Sequence, residues 1–208
     1  MQFIYGLSKS GISLAKYLNK KNESFNCWDD DQKVRQQVKK ILKNAKLINP
    51  KKNNLDRYDK IYVSPGISIR KKNFIKTKNY KIKLARDLNL YWHKIINQKL
   101  VAVTGTNGKS TTTKLIGEIL MNSNLSTFVG GNIGTPLFDS FLNKEKYTHH
   151  VIELSSFQLE LIKDFNPTVS ILLNLSKDHL DRYKNFRDYI NQKKKIFLLI
   201  LHTQITSL

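Results

Sequence analysis

Apolar and polar residues alternate along this chain in blocks whose period changes, and the changes predict its elements. Phe3, Ile4 and Tyr5 form a short apolar run read as a strand, followed by a turn through Gly6, Ser8 and Gly11. Ile12, Leu14, Ala15, Tyr17 and Leu18 then recur at helical spacing. Phe25, Asn26, Cys27 and Trp28 predict a second strand that ends on Asp29, Asp30 and Asp31. Residues 32–46 read as an amphipathic basic helix, and Lys60, Ile61, Tyr62 and Val63 as a strand closed by the Ser64-Pro65-Gly66 turn. Strand and helix in alternation predict a parallel sheet flanked by helices.

The pattern restarts around residues 91–99. Leu100, Val101, Ala102 and Val103 form a short apolar strand that feeds a loop over 104–109, and a helix follows through about Met121. Further strands are predicted at 125–129, 149–154 and 169–174, with a helix near 156–163. The chain therefore divides near residue 97 into two α/β units, 1–97 and 98–208, a size that suits about 100–200 residues per domain.

Composition narrows the class. No run of about 18 apolar residues is present, so no membrane insertion is expected. The single Cys27 excludes an internal disulfide framework and fits a reducing cytoplasm; it reads as a small buried strand residue. A formal charge of +20 raises the question of nucleic acid, but the 36 cations are mostly lysine and lie along the whole length. No basic patch with interleaved aromatics is visible, so no specific nucleic-acid partner is expected. Dispersed lysines would attract polyanions only non-specifically at low salt.

The chemistry concentrates in Gly105-Thr106-Asn107-Gly108-Lys109-Ser110-Thr111, between a strand and a helix. Glycines let the backbone aim successive N–H groups at phosphate oxygens, and the helix N-terminus adds further donors. Lys109 would neutralise the outer phosphates, and Ser110 or Thr111 would offer a hydroxyl to Mg2+. The spacing is not the usual one: the position six residues before the lysine is Val103, not glycine.

That shortened loop, TGTNGKST, resembles the loop of the Mur ligases and the related folylpolyglutamate synthetases. The resemblance implies a Rossmann-like N-terminal domain followed by an incomplete P-loop-type mononucleotide-binding α/β domain. It also implies ATP and Mg2+ as cofactors and an amide formed through an acyl phosphate. Gly130-Gly131-Asn132-Ile133-Gly134 resembles the family's substrate loop, with Asn132 as the polar contact. Ser155-Ser156-Phe157-Gln158-Leu159-Glu160 resembles the branch that adds D-glutamate to UDP-N-acetylmuramoyl-L-alanine; Ser155 and Gln158 would face substrate and Glu153 would hold Mg2+. The Asp178-His179-Leu180-Asp181-Arg182 segment implies His179 as a magnesium ligand. Tyr189 and Ile196 align with the helix bearing the family's carbamylated lysine, which falls on Lys193, a further metal ligand; adjacent Lys194 and Lys195 leave that register open by one. Lys109, Lys193 and His179 form the implied catalytic set.

In the first unit, Ser8 stands where a G-x-G-x-x-G turn has its middle glycine. Ser8, Asp29, Asp30 and the turn Ser64, Pro65 and Gly66 are the implied contacts to the UDP portion of the substrate. A monomer is expected. The resemblance covers about residues 3–197 and no third domain is in view; residues 198–208 read as a frameshifted or prematurely ended tail. The alternative expectation is a catalytically inactive, truncated nucleotide-binding fragment.

Overall fold

The computed structural model describes residues 1–42, 45–50, 55–69, 74 and 79–197. The tail expected over residues 198–208 lies outside the described residues. Two parallel sheets carry the fold. The first contains β1 (Gln2–Tyr5), β2 (Phe25–Trp28), β3 (Lys46–Leu47), β4 (Lys60–Val63) and β5 (Leu84–Ala85), in the order β3-β2-β1-β4-β5. Its helices among the described residues are α1 (Lys9–Lys20), α2 (Gln32–Ile41), α3 (Tyr80–Lys83) and α4 (Asp87–Lys94). The second contains β6 (Lys99–Thr104), β7 (Thr127–Gly131), β8 (His149–Glu153) and β9 (Val169–Leu172), in the order β7-β8-β6-β9. Around it lie α5 (Lys109–Asn122), α6 (Ser156–Leu159), α7 (Phe186–Lys194) and 3-10 turns at Leu137–Phe141 and Lys195–Phe197.

Every strand pair among the described residues is parallel, an arrangement that needs crossover connections. Both sheets thus present their strand C-termini, where open α/β sheets bind ligands. The first sheet has the first five strands of the dinucleotide-binding order, 3-2-1-4-5, and the second is of the P-loop type. Residue 97 falls in the turn between α4 and β6.

The expected elements differ in extent. The basic helix stops at Ile41, and the helix expected over 156–163 is one turn ending at Leu159. The pattern also conceals the two-residue strands β3 and β5, which are too short to show a period, and α4, which covers the expected restart near 91.

A continuous apolar core links the sheets, running from Ile4, Leu14 and Leu18 through Leu88, Tyr91 and Ile95 to Leu100, Ala102, Phe128 and Ile152. Tyr17 of α1 packs on Phe138 with ring centroids 4.8 Å apart, and Trp92 of α4 meets Phe165 at 5.5 Å. Polar bonds fix the same join: Ser13 Oγ donates to Asp139 at 2.6 Å, and Asn89 Nδ2 to the Leu161 carbonyl at 2.9 Å. Cys27 is buried in β2, where loss of solvation pushes its thiol up to about 12.

His150 of β8 is an ordinary strand residue in a buried place. Its Nδ1 bonds the Tyr91 hydroxyl at 2.7 Å, and its Nε2 bonds the Gln98 side chain. Burial, with a lesser push from His149, lowers its pKa to about 4. The unfolded chain binds this proton near the ordinary value and the folded chain does not, so stability present above pH ~6.5 is lost as pH falls toward 4. The expected loss is on the order of 3 kcal/mol. Denaturant unfolding at pH 7 and 4.5 measures it; His150→Gln should show the smaller drop, and an equal drop in both proteins rejects the assignment.

Candidate functional site

The phosphate loop begins where β6 ends. Thr104 is fully buried and its hydroxyl donates to the Leu154 carbonyl at 2.7 Å, which fixes the strand end against β8. Gly108 caps α5 at φ +79°, a conformation that glycine adopts without a Cβ penalty. The loop is clamped from β9: Asn107 N–H donates to Asn174 Oδ1 at 2.9 Å, and Asn174 Nδ2 returns to the Asn107 carbonyl at 3.0 Å. Thr106 Oγ1 lies 3.0 Å from the Tyr189 hydroxyl and accepts from Ser176 N–H at 3.0 Å. Lys109 folds over this loop, its Nζ donating to the Thr106 carbonyl at 2.7 Å.

Glu153 ends β8 beside that helix start and is 1% exposed. Its carboxylate accepts from Ser110 Oγ at 2.7 Å and from Asn132 Nδ2 at 2.9 Å. Three segments distant in sequence therefore converge on one carboxylate. Asn132 was expected to touch substrate; here it orients Glu153, and Gly134, Thr135 and Pro136 of the same loop reach the neighbouring cleft.

Lys193 is 2% exposed, whereas Lys194 is exposed. The Lys193 Nζ donates to the Gly105 carbonyl at 2.7 Å and to Thr104 Oγ1 at 3.4 Å. Burial, and then the charge of Lys109, lower its pKa to about 8, against the opposing pull of Asp178 and Glu153. As an ammonium it donates only and cannot ligate a metal. His179 has φ +52°, and its ring lies 4.8 Å from that of Phe157 with Nε2 3.4 Å from Asp178. Among the described residues no three His, Cys, Asp or Glu side chains form a metal-holding group. Ser110 and Glu153 are thus brought together, and His179 is engaged elsewhere.

Ser155 and Gln158 are committed to each other. Gln158 N–H donates to Ser155 Oγ at 3.3 Å, and Ser155 N–H donates to Gln158 Oε1 at 3.0 Å, a reciprocal cap of α6. Gln158 is buried, so of this pair only Ser155 is open to a ligand.

A cleft of about 570 Å³ lies between the first turn of α1, α2 and the 134–139 segment. Leu7, Ser8, Lys9 and Lys16 line one side, and Gly134, Thr135, Pro136 and Asp139 the other. Asp29 holds the turn above β1 by accepting from Leu7 N–H at 2.6 Å and from Asp31 N–H at 2.9 Å. Asp30 accepts from the Tyr5 hydroxyl at 2.9 Å. Ser64 Oγ donates to the Gly6 carbonyl at 2.6 Å, which buries it behind that turn; Pro65 and Gly66 stay more open. Ser8 is thus placed in the cleft; Asp29 and Ser64 do not line it but hold the Gly6–Leu7 turn beside it, and Asp30 is turned to Tyr5. Arg86 was missed by the sequence reading, because a lone arginine carries no spacing signal.

Two parallel sheets, a glycine-lysine loop at one of them and a cleft at the other define a P-loop α/β protein with a second, Rossmann-like unit. The chain belongs to the Mur ligases: residues 1–85 match the model of the Mur ligase MurD-like N-terminal domain, and residues 103–206 that of the Mur ligase middle domain. The second match runs past Phe197, where the resemblance was expected to stop. Among curated proteins, the chain is 40% identical over 194 residues to UDP-N-acetylmuramoylalanine--D-glutamate ligase of Rickettsia prowazekii (strain Madrid E), covering 93% of this chain and 43% of that protein. The enzyme of the same name from Wolbachia pipientis wMel is 38% identical over 195 residues, covering 93% and 38%. The chain thus spans about two-fifths of the length of these relatives.

Among solved structures, UDP-N-acetylmuramate-alanine ligase from Thermotoga maritima matches with a TM-score of 0.55 at 20% identity, over 94% of this chain and 46% of that one. The UDP-N-acetylmuramate:L-alanyl-gamma-D-glutamyl-meso-diaminopimelate ligase of Neisseria meningitides gives 0.56 at 16%, over 94% and 66%. At such identities the likeness speaks for the fold. No helix among the described residues is long and apolar enough to cross a membrane.

Proposed function

We propose that this chain supplies the UDP-binding unit, 1–97, and the ATP-binding unit, 98–208, of a cytoplasmic ligase that joins D-glutamate to UDP-N-acetylmuramoyl-L-alanine. The observation that carries the reading is the convergence of Ser110, Asn132 and Glu153 beside the 105–111 loop. The named relatives support the choice of substrates.

In this reading the substrate's UDP end occupies the cleft at Ser8, and its free carboxylate reaches toward the loop. That carboxylate takes the γ-phosphoryl group of ATP, releasing ADP. The amine of D-glutamate then attacks the acyl carbon, and phosphate leaves as the amide forms. The protein's share is placement and charge. Backbone N–H groups over 108–111 and the Lys109 ammonium hold the phosphates, while those of Thr106 and Asn107 brace the loop on Asn174. The oxygens of Ser110 and Glu153 suit a hard cation such as Mg2+, and Asn132 holds the carboxylate in place. Mg2+, when bound, would neutralise charge on the outer phosphates.

Lys193 fits this scheme after modification. A pKa near 8 leaves a usable share of neutral amine, which can add CO2 to give a carbamate with release of a proton. The carbamate would present oxygens where the ammonium now donates, and His179 is the remaining ligand of the proposed set.

Calorimetry on this chain tests the reading. UDP-N-acetylmuramoyl-L-alanine should bind and be displaced by UDP, and a non-hydrolysable ATP analogue should bind only with Mg2+. Absence of both heats overturns it.

A further inference from the structure

Beside the two sites lies a charged cluster that neither site uses. Arg86, between β5 and α4, is fully buried. Its Nη1 donates to three carbonyls of one turn: Val63 at 2.9 Å, Ser64 at 2.7 Å and Ile67 at 3.2 Å. Its Nη2 pairs with Glu160, which follows α6 in the second unit. Arg182 approaches the same turn from the other side. Its Nη2 donates to the Pro65 carbonyl at 2.9 Å and the Ile67 carbonyl at 3.1 Å, and lies 3.5 Å from Glu160. Phe157 covers the Arg182 guanidinium at 4.0 Å, and Lys195 Nζ donates to the Glu160 carbonyl at 2.5 Å.

The cluster joins two functional segments. On one side the Ser64–Ile67 turn buttresses the glycine turn: Ser64 donates to the Gly6 carbonyl, and a Cβ placed on Gly6 would come within 2.6 Å of Ile67 Cδ1. Leu7 and Ser8, one and two residues on, line the cleft. On the other side, Arg182 N–H donates to the His179 carbonyl at 3.0 Å, which closes the turn that presents His179. Few side chains can satisfy several convergent carbonyls and a carboxylate at once; the planar guanidinium, with five donors, is built for it.

We propose that Arg86 is a positioning residue. It sets the Ser64–Ile67 turn, and with it the cleft wall at Leu7 and Ser8. Through Glu160 and Arg182 it also ties that turn to the His179 segment, so the two sites keep one relative placement. This rests on the reading of the cleft as the UDP site.

The test uses this chain with UDP as the probe and the variants Arg86→Met, Glu160→Gln and Arg86→Met/Glu160→Met. Arg86→Met should weaken UDP binding about tenfold or more, as expected for loss of charge-assisted hydrogen bonds that shape a site. It also removes the nearer of the two cations at the half-buried Glu160, leaving Arg182 at 3.5 Å, and frees the carbonyls of Val63 and Ser64, so its melting temperature should fall. The double variant leaves no carboxylate unpaired and should recover much of the melting temperature. UDP affinity should stay low in it. Affinity that is unchanged in Arg86→Met, or that returns with the melting temperature in the double variant, overturns a positioning role. Hydrogen exchange separates the tie from the cleft: Arg86→Met should deprotect residues 64–67 and 178–183 together, and unchanged protection at 178–183 refutes the tie. Failure of the unaltered chain to bind UDP refutes the cleft reading instead, and the exchange result still decides the tie.

Discussion

Gly11→Ala is expected to cost the chain on the order of 3 kcal/mol or more and to abolish UDP binding, because no space exists for the added methyl group. A Cβ at Gly11 would lie 1.9 Å from the Gly6 carbonyl oxygen and 3.0 Å from Ser64 Oγ. The first contact is with backbone, so no rotamer relieves it. Either α1 slides away from the end of β1 or the Gly6 turn rebuilds. The Gly6 turn is held from three sides, since Gly6 N–H donates to the Trp28 carbonyl at 2.8 Å, Ser64 Oγ donates to the Gly6 carbonyl, and Leu7 N–H is fixed by Asp29. Displacing α1 would disturb Leu14, Ala15 and Leu18 in the core and Tyr17 against Phe138. A domain of this size has only about 5–15 kcal/mol to lose. Thermal unfolding and UDP calorimetry read the two effects; a variant that melts and binds like the parent would show that the turn is not rigid.

Lys109→Ala is expected to lower affinity for a Mg2+–ATP analogue by about 10- to 100-fold with little change in melting temperature. Among the described residues Lys109 Nζ bonds the Thr106 carbonyl, and Lys109 sits only partly buried at the first turn of α5. Its removal strands no buried charge, so the fold should tolerate it. A bound phosphate would lose a charge-assisted contact worth about 1.5–3 kcal/mol. The variant should also raise the pKa of Lys193, since the Lys109 charge is the second cause, after burial, that holds it down. Analogue titration that gives the same affinity for both proteins removes Lys109 from the phosphate site.

Much of this was legible in the sequence. The strand ending at Thr104, the glycines and lysine after it, and the helix from Lys109 need only local information. The loop's job is local too: backbone donors, a positive φ at Gly108 and a cation one residue later. Cys27 and the β2 run behaved as their apolar neighbours implied. Of three consecutive lysines the resemblance pointed to Lys193, with the register open by one. Packing of α7 against the loop buries Lys193, aims it at the Gly105 carbonyl, and leaves Lys194 in solvent.

Several polar residues expected at ligands also carry bonds within the protein. Asn132, Ser155, Gln158, Asp29 and Asp30 each have the chemistry to touch a ligand, and each bonds the protein's own backbone or side chains. Residue type reveals what a side chain can bond, and only its neighbours in space reveal what it does bond.

By itself the sequence determined the alternation of strands and helices, and so the parallel α/β class. It also determined the phosphate loop, because hydrophobic period and backbone freedom act over a few residues. The tertiary structure decided the meeting of Ser110, Asn132 and Glu153, the cleft shared by Ser8 and Pro136, and the Arg86–Glu160–Arg182 cluster. Those depend on contacts between residues tens of positions apart, whose distances are set by sheet order and core packing rather than by any local preference.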